Sequence, residues 1–174
     1  LKERRSLTAK LSELRDLPAE TIDGTPMQLS ANIEFPHETT TCIERGADGI
    51  GLYRTEFLYL SSTEEPSEED HYQAYSQVVR EMEGRPVVIR TLDLGADKMG
   101  SRPLAENEHN PFLGLRSIRL SLRNLDLFRP QLRAILRAAV HGDIRVMFPL
   151  ITTLAELRQA RMLLNVVAED LEES

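Results

Sequence analysis

The feature that most constrains the fold is an alternation: four short runs with strand character each lead into sequence with helical spacing, and no hairpin signal separates one run from the next. Strands joined this way return to the same end of a sheet through right-handed crossovers, so they run parallel. The first run is Gln28 to Ile33, followed by a short helix from about His37 to Arg45 that Gly46 stops. The second is Gly49 to Arg54. Its helix spans about Glu68 to Glu83, with Ser67 as N-cap, acids in the first turn facing the positive dipole end, and a stripe of Tyr72, Tyr75, Val79 and Met82. Pro86 to Asp93 is the third run. After it come 17 loop-like residues, 94 to 110, and then helical sequence in which Leu125, Phe128, Leu132, Ile135 and Ala139 recur at 3-4 spacing. Ile144 to Leu150 is the fourth. The tetrad Thr153-Leu154-Ala155-Glu156 is a capping box opening a helix with Leu157, Ala160, Leu164, Val167 and Leu171 on its inner face.

The fold class is therefore α/β with parallel (β/α) units. Four such units without a closing strand make either half of an eight-stranded barrel or a small open sheet, and periodicity alone does not choose. Polar residues at the carboxyl ends of the second and third strands, where barrel enzymes keep their sites, and a last helix that runs straight into the terminus favour the first half of a TIM-type (β/α)8 barrel. Ahead of it, Leu7, Leu11 and Leu14 share one helical face until Asp16-Leu17-Pro18 ends the pattern. This gives a linker helix and connector over residues 1–26 and the four βα units over residues 27–174.

Composition removes several function classes. With 41% hydrophobic and 28% charged residues the chain is an ordinary globular one. A net charge of -7 removes the basic footprint of a nucleic-acid binder. No apolar run approaches the roughly 20 residues that span a bilayer, which excludes membrane insertion. A single cysteine, Cys42, and a charged start at Leu1 to Arg5 point to a reducing, cytoplasmic setting. Lysine occurs only at positions 2, 10 and 98, leaving 18 of the 21 basic residues as arginine. Arginine's planar fork suits carboxylate and phosphate, although a surface excess of arginine has the same composition.

Position singles out a few of them. Arg54 closes the second strand and Arg90 the third, and neighbouring strands are about 4.8 Å apart, so the two can converge on one anion. A charge that closes an apolar run must meet a ligand or a protein carboxylate, with Glu56 and Asp93 as the internal alternatives. Lys98, in the following glycine loop, and Arg116, at the end of the long loop, are secondary candidates; the alternatives are a solvated loop cation and, for Arg116 with Arg119, a solvated helix face. Gly49-x-Gly51 lacks the third glycine of a dinucleotide fingerprint. His37, His71, His109 and His141 are dispersed and read as solvent or capping residues, Cys42 as packing, and Glu64, Glu65, Glu68, Glu69 and Asp70 as a solvated helix start. No acids form a strand-end metal pair.

Three ordered blocks, Gly49 to Leu60, Val88 to Lys98 and Asn110 to Arg119, resemble the phosphoenolpyruvate-binding domain of the enzyme I family of the bacterial phosphoenolpyruvate-dependent sugar phosphotransferase system. The likeness continues through Ser30-Ala31-Asn32-Ile33 and Arg145-Val146-Met147-Phe148-Pro149 and covers nearly the whole chain. Pyruvate phosphate dikinase and phosphoenolpyruvate synthase share an Arg-Thr-Glu-like element, but Arg90-Thr91-Leu92-Asp93-Leu94-Gly95-Ala96-Asp97-Lys98 is more similar to enzyme I.

The resemblance implies a (β/α)8 barrel that binds phosphoenolpyruvate with Mg²⁺ and passes the phosphoryl group to a histidine on a separate N-terminal domain, then to the carrier HPr. The family's substrate-binding arginines in the first half of the barrel correspond to Arg54 and Arg90. The Mg²⁺ carboxylates, further phosphate ligands and the protonating cysteine are implied in the second half of the barrel, beyond this segment. The expectation is thus part of a phosphotransferase, with no catalytic or metal-binding residue of its own and inactive alone, whose half-sheet self-associates. The rival is a noncatalytic anion-binding or assembly module.

Overall fold

A computed structural model describes residues 15, 17–60, 64–95 and 114–173. The expected helix over residues 1 to 15 falls almost wholly outside the described residues, as do Lys98 and His109. The element order is β1 (Ser30–Ile33), α1 (Glu38–Glu44), β2 (Gly49–Tyr53), α2 (Phe57–Leu60), α3 (Glu68–Glu81), β3 (Val87–Arg90), α4 (Ser117–Arg123), α5 (Leu125–Ala138), a 3-10 turn (Ala139–His141), β4 (Ile144–Met147) and α6 (Leu154–Glu172).

All four strands pair parallel, in the sequential order β1-β2-β3-β4. Between β3 and β4 the register is uninterrupted, from Val87 opposite Ile144 to Arg90 opposite Met147. One face of the sheet is covered. Ile33, Ile50, Tyr53, Val87 and Ile89 form a single cluster with Tyr75, Val78, Val79 and Met82 of α3 and with Ala134, Ile135 and Ala138 of α5. Each of the larger of these side chains contributes roughly 1.5–3 kcal/mol on burial, and this layer holds the strand ends in place. The alternate strand positions Asn32 and Arg145 are exposed, and Met147 is 37% exposed. A second cluster joins Ile118, Phe128 and Leu132 to Ala160, Leu163 and Val167 of α6.

Helix ends follow the chemistry expected of them. Ser67 accepts from the backbone N–H of Asp70 while the Asp70 carboxylate accepts from Ser67 N–H, and Thr153 and Glu156 reciprocate in the same way. Gly46, at φ +79°, supplies the left-handed turn after α1.

Several expectations need correcting. The strands are shorter than the apolar runs. β3 ends at Arg90 rather than Asp93 because Leu92 and Asp93 turn their N–H groups to side chains. The helical sequence after the long loop is two helices divided at Asn124, which leaves Leu125 and Ala139 exposed, while Leu127, Gln131, Ala134 and Ala138 join Phe128, Leu132 and Ile135 inside. The inner face of α6 includes Leu163, with Leu157, Leu164 and Leu171 only half-buried. Glu68 is not simply solvated: it takes Arg133 and Arg137, both at 2.7 Å, and so ties α3 to α5. His71 is neither a solvent nor a capping residue. It lies within α3 with 0% exposure, between the hydroxyls of Tyr59 and Tyr75. Cys42 packs against the first cluster, as expected, and burial raises its thiol pKa.

Candidate functional site

The carboxyl ends of β2 and β3 carry the two arginines. Arg54 follows β2 directly, its N–H bonded to the Ile33 carbonyl at 2.9 Å, and Arg90 is the last residue of β3. Parallel pairing puts both at the same end of neighbouring strands. The glycine pair in β2 serves this packing. A Cβ on Gly49 would stand 2.7 Å from the Pro86 carbonyl oxygen, and one on Gly51 would stand 2.9 Å from the Ser30 Cβ. Only glycine lets β2 run this close to its neighbours.

Arg90 meets two carboxylates. Its Nη2 is 3.0 Å from Glu56 Oε1 and its Nη1 is 3.0 Å from Asp93 Oδ2. The ion pair set against a ligand role in the sequence is therefore present for Arg90. It does not exhaust the side chain, because a guanidinium has five N–H donors and the carboxylates engage one on each terminal nitrogen. Arg90 Nε is buried without a hydrogen-bond partner among the described residues. Asp93 also draws in Arg116, at 3.8 Å, whose Nε is likewise buried and unpartnered, and it accepts the hydroxyl hydrogen of Ser117. Ser117 holds φ +51°, a left-handed conformation costing about 1 kcal/mol for a residue with a Cβ. Its N–H to the Leu94 carbonyl and its hydroxyl to Asp93 fix it there.

Arg54 is different. Its side chain is exposed and no ion pair or hydrogen bond holds it among the described residues. Its charge contributes to the lowered pKa of Glu38, whose main causes are hydrogen bonds from the backbone N–H groups of Phe35 and Glu34. The structure thus brings Arg54, Arg90 and Arg116 to one end of the sheet, with Glu56 and Asp93 orienting the latter two. The open groove of about 560 Å³ along β1 and α1, lined by Asn32, Thr41 and Cys42 among others, contains none of these arginines.

The three backbone N–H groups that follow β3 are all bonded. The Arg90 carbonyl accepts from Thr55 Oγ1 at 2.9 Å and Thr91 N–H donates to the Met147 carbonyl at 3.0 Å. Leu92 N–H donates to Gln131 Oε1 and Asp93 N–H to Glu56 Oε1, both at 3.1 Å. Thr55 and Gln131 escaped the sequence reading. The available signal for Gln131 was a polar residue three after Phe128 and four before Ile135, on an otherwise apolar helical face. Arg119, read as an alternative solvating residue, clamps α4 to the start of α6 through Glu156 Oε1 at 3.1 Å and Thr152 Oγ1 at 3.2 Å.

Among the described residues no group of three or more His, Cys, Asp or Glu side chains is placed to hold a metal ion, and no helix is long and apolar enough to cross a membrane. His37 stacks on Phe35, and His141 bonds Tyr72 and Arg80.

Residues 8–174 match the family described as PEP-utilising enzyme, PEP-binding domain. The chain is 49% identical over 162 residues to the phosphoenolpyruvate-protein phosphotransferase of Staphylococcus aureus (strain MSSA476), covering 93% of this chain and 28% of that protein. It is 50% identical over 158 residues to the protein of that name from Latilactobacillus sakei, covering 90% of this chain and 27% of the relative. The Staphylococcus carnosus (strain TM300) protein is 49% identical over 156 residues, with the same coverage. The chain spans about 28% of the length of the curated relatives it matches.

Proposed function

Since the chain belongs to the PEP-binding domain family of PEP-utilising enzymes, we propose that it forms the first half of the (β/α)8 barrel of a phosphoenolpyruvate-protein phosphotransferase, with residues 1–26 as linker and residues 27–174 as the first four βα units. The observation that carries this is the set of three arginines at the carboxyl end of a parallel sheet, where barrel sites are built, on a chain half identical to phosphotransferases. Those relatives favour this reading over a noncatalytic anion module and over a dikinase or synthase barrel.

Phosphoryl transfer is catalysed mainly by positioning and by charge arranged for the transition state. Arg54 meets the phosphate as a mobile cation, whereas Arg90, oriented by Glu56 and Asp93, presents its remaining N–H donors in a fixed direction. Arg116 supplies a third positive charge through the shared Asp93, and Lys98 is a further candidate for the same mouth. Mg²⁺, when bound, would neutralise phosphate charge, and the family resemblance implies that its ligands lie in the second half of the barrel. The phosphoryl acceptor is a histidine elsewhere in the protein, and HPr is its onward partner in the cytoplasm. His71, sealed between two tyrosines, is unsuited to that role.

Titration of phosphoenolpyruvate into the full-length protein, with and without Mg²⁺, tests the reading. It requires saturable binding that Mg²⁺ alters. No binding in either condition removes it.

A further inference from the structure

We infer that Gln131, on the outer helix α5, is a positioning residue that holds Arg54 and Arg90 in one register; the inference rests on the phosphoenolpyruvate reading above. Gln131 is fully buried in a helix face that otherwise packs the apolar core. A buried amide in such a place is costly unless its polar atoms are matched. All of them are, and two of the three partners, Leu92 and Thr55, belong to the chain segments that carry the two arginines.

The direction of every bond can be assigned. Leu92 N–H is only a donor, so the atom of Gln131 facing it at 3.1 Å is the oxygen. The Gln131 nitrogen therefore points the other way, donating to Thr55 Oγ1 at 3.2 Å and to the Tyr75 hydroxyl at 3.1 Å. Thr55, having accepted, donates its own hydrogen to the Arg90 carbonyl at 2.9 Å. Tyr75 passes its hydrogen to His71 Nδ1 at 2.9 Å, which puts the His71 hydrogen on Nε2, 3.2 Å from the Tyr59 hydroxyl. This tautomer agrees with burial lowering the His71 pKa to about 4 and keeping the ring neutral.

One amide thus grips three points. It holds Leu92 directly and Arg90 through Thr55, the two residues flanking Thr91, and Thr55 is the residue after Arg54. Its oxygen fixes the turn by which the chain leaves β3, and its nitrogen fixes β2 against that turn. Glu56 and Asp93, the acids that orient the Arg90 fork, are the next residues along the two pinned segments. Loss of Gln131 would release the Leu92 N–H and unseat the Thr55 hydroxyl that bonds the Arg90 carbonyl, and so let the two arginine-bearing segments shift against each other. Displacements of about 1 Å at a reacting centre cost up to ~10²-fold in rate.

The test uses the full-length phosphotransferase carrying this segment. Gln131→Leu keeps the size and apolar packing but removes every polar atom. Steady-state kinetics with phosphoenolpyruvate and thermal unfolding are measured for wild type, Gln131→Leu, Arg90→Lys and the double variant. The expected result is a loss of about tenfold or more in kcat/KM for Gln131→Leu in folded enzyme, shrinking to less than about twofold in the Arg90→Lys background, where no fork remains to be aimed. A purely structural role lowers Tm and leaves kcat/KM of the folded enzyme unchanged; that outcome, or the same tenfold loss recurring on Arg90→Lys, overturns the inference. If Gln131→Leu does not fold, Thr55→Val and Thr55→Ser replace it: the serine variant, which keeps the hydroxyl, should exceed the valine variant by about fivefold or more in kcat/KM, and equal values overturn the inference. Wild-type kinetics in Arg90→Lys would overturn the phosphoenolpyruvate reading together with the inference. An impaired Arg90→Lys beside a normal Gln131→Leu would overturn the inference alone.

Discussion

Arg90 and Glu56 meet across the ends of neighbouring parallel strands, Nη2 to Oε1 at 3.0 Å, and the same carboxylate oxygen accepts the backbone N–H of Asp93 at 3.1 Å. Glu56 is 8% exposed, so this contact is screened far less than a surface ion pair. The carboxylate that orients Arg90, the arginine proposed to bind substrate, also anchors the backbone of the second acid that orients it. On the proposed reading, function and local stability share the same atoms at this end of the sheet.

Replacement of Arg90 by lysine should consequently change two properties at once. A lysine keeps the charge but cannot reach Glu56 and Asp93 through separate nitrogens, and it cannot offer a planar pair of donors to phosphate. Stability should fall by about 1–3 kcal/mol as one buried acid loses its partner. In the full-length enzyme kcat and kcat/KM should fall together, on the order of 10². Thermal unfolding and steady-state kinetics on the same preparation check this; a destabilised variant with normal kinetics in its folded fraction would make Arg90 structural only.

The pH dependence of stability should show two acid windows. Burial lowers the His71 pKa from 6.5 to about 4, so below the unfolded value the unfolded chain binds a proton that the folded one refuses. Stability falls as pH drops from about 6.5 towards 4 and is flat in this respect above 6.5. The depressed value represents on the order of 3 kcal/mol. A second fall begins below the ordinary glutamate range: hydrogen bonds from the Thr152 and Thr153 N–H groups hold Glu156 at about 2, so its contribution, present above 4.5, is lost as pH approaches 2. Chemical denaturation at a series of pH values should show the upper window disappear in His71→Phe while the lower one persists. An unchanged upper window would contradict the assignment.

Expressed by itself, the segment should associate. β1 pairs only with β2 and β4 only with β3 among the described residues, and Leu29, Met147 and Leu150 are exposed nearby. Unpaired strand edges beside uncovered apolar surface favour pairing with a second chain. Light scattering of residues 1–174 should report dimers or larger species, and a folded monomer at high concentration would count against the half-barrel reading.

The strand and helix alternation, the Ser67 and Thr153 caps and the Tyr72 to Met82 stripe were legible because each depends on residues within one or two turns of one another. Arg54 and Arg90 were legible as strand-closing charges. The Arg90 ion pairs were visible only as one of two alternatives, since a carboxylate and a ligand satisfy a guanidinium equally well on paper. What stayed hidden was long-range. Gln131 finds Thr55 and Tyr75 at separations of 76 and 56 residues, and His71 is buried by a fold that brings Tyr59 over its ring. No local pattern marks such residues apart from a polar side chain at an apolar helical position. The break at Asn124 was missed for a related reason: the 3-4 spacing runs straight through Leu125, which the structure leaves at the surface.

Arg54 offers the most direct test of the central claim, because its side chain takes no part in holding the fold among the described residues, so ligand binding can be read without a stability effect. Calorimetric titration of phosphoenolpyruvate into full-length wild-type and Arg54→Gln protein should show Kd rising about tenfold or more, equivalent to roughly 1.4 kcal/mol or more for one charge-assisted phosphate contact, with Tm unchanged. An equal Kd in the two proteins, both folded, would contradict the assignment of this sheet end as the phosphoenolpyruvate site.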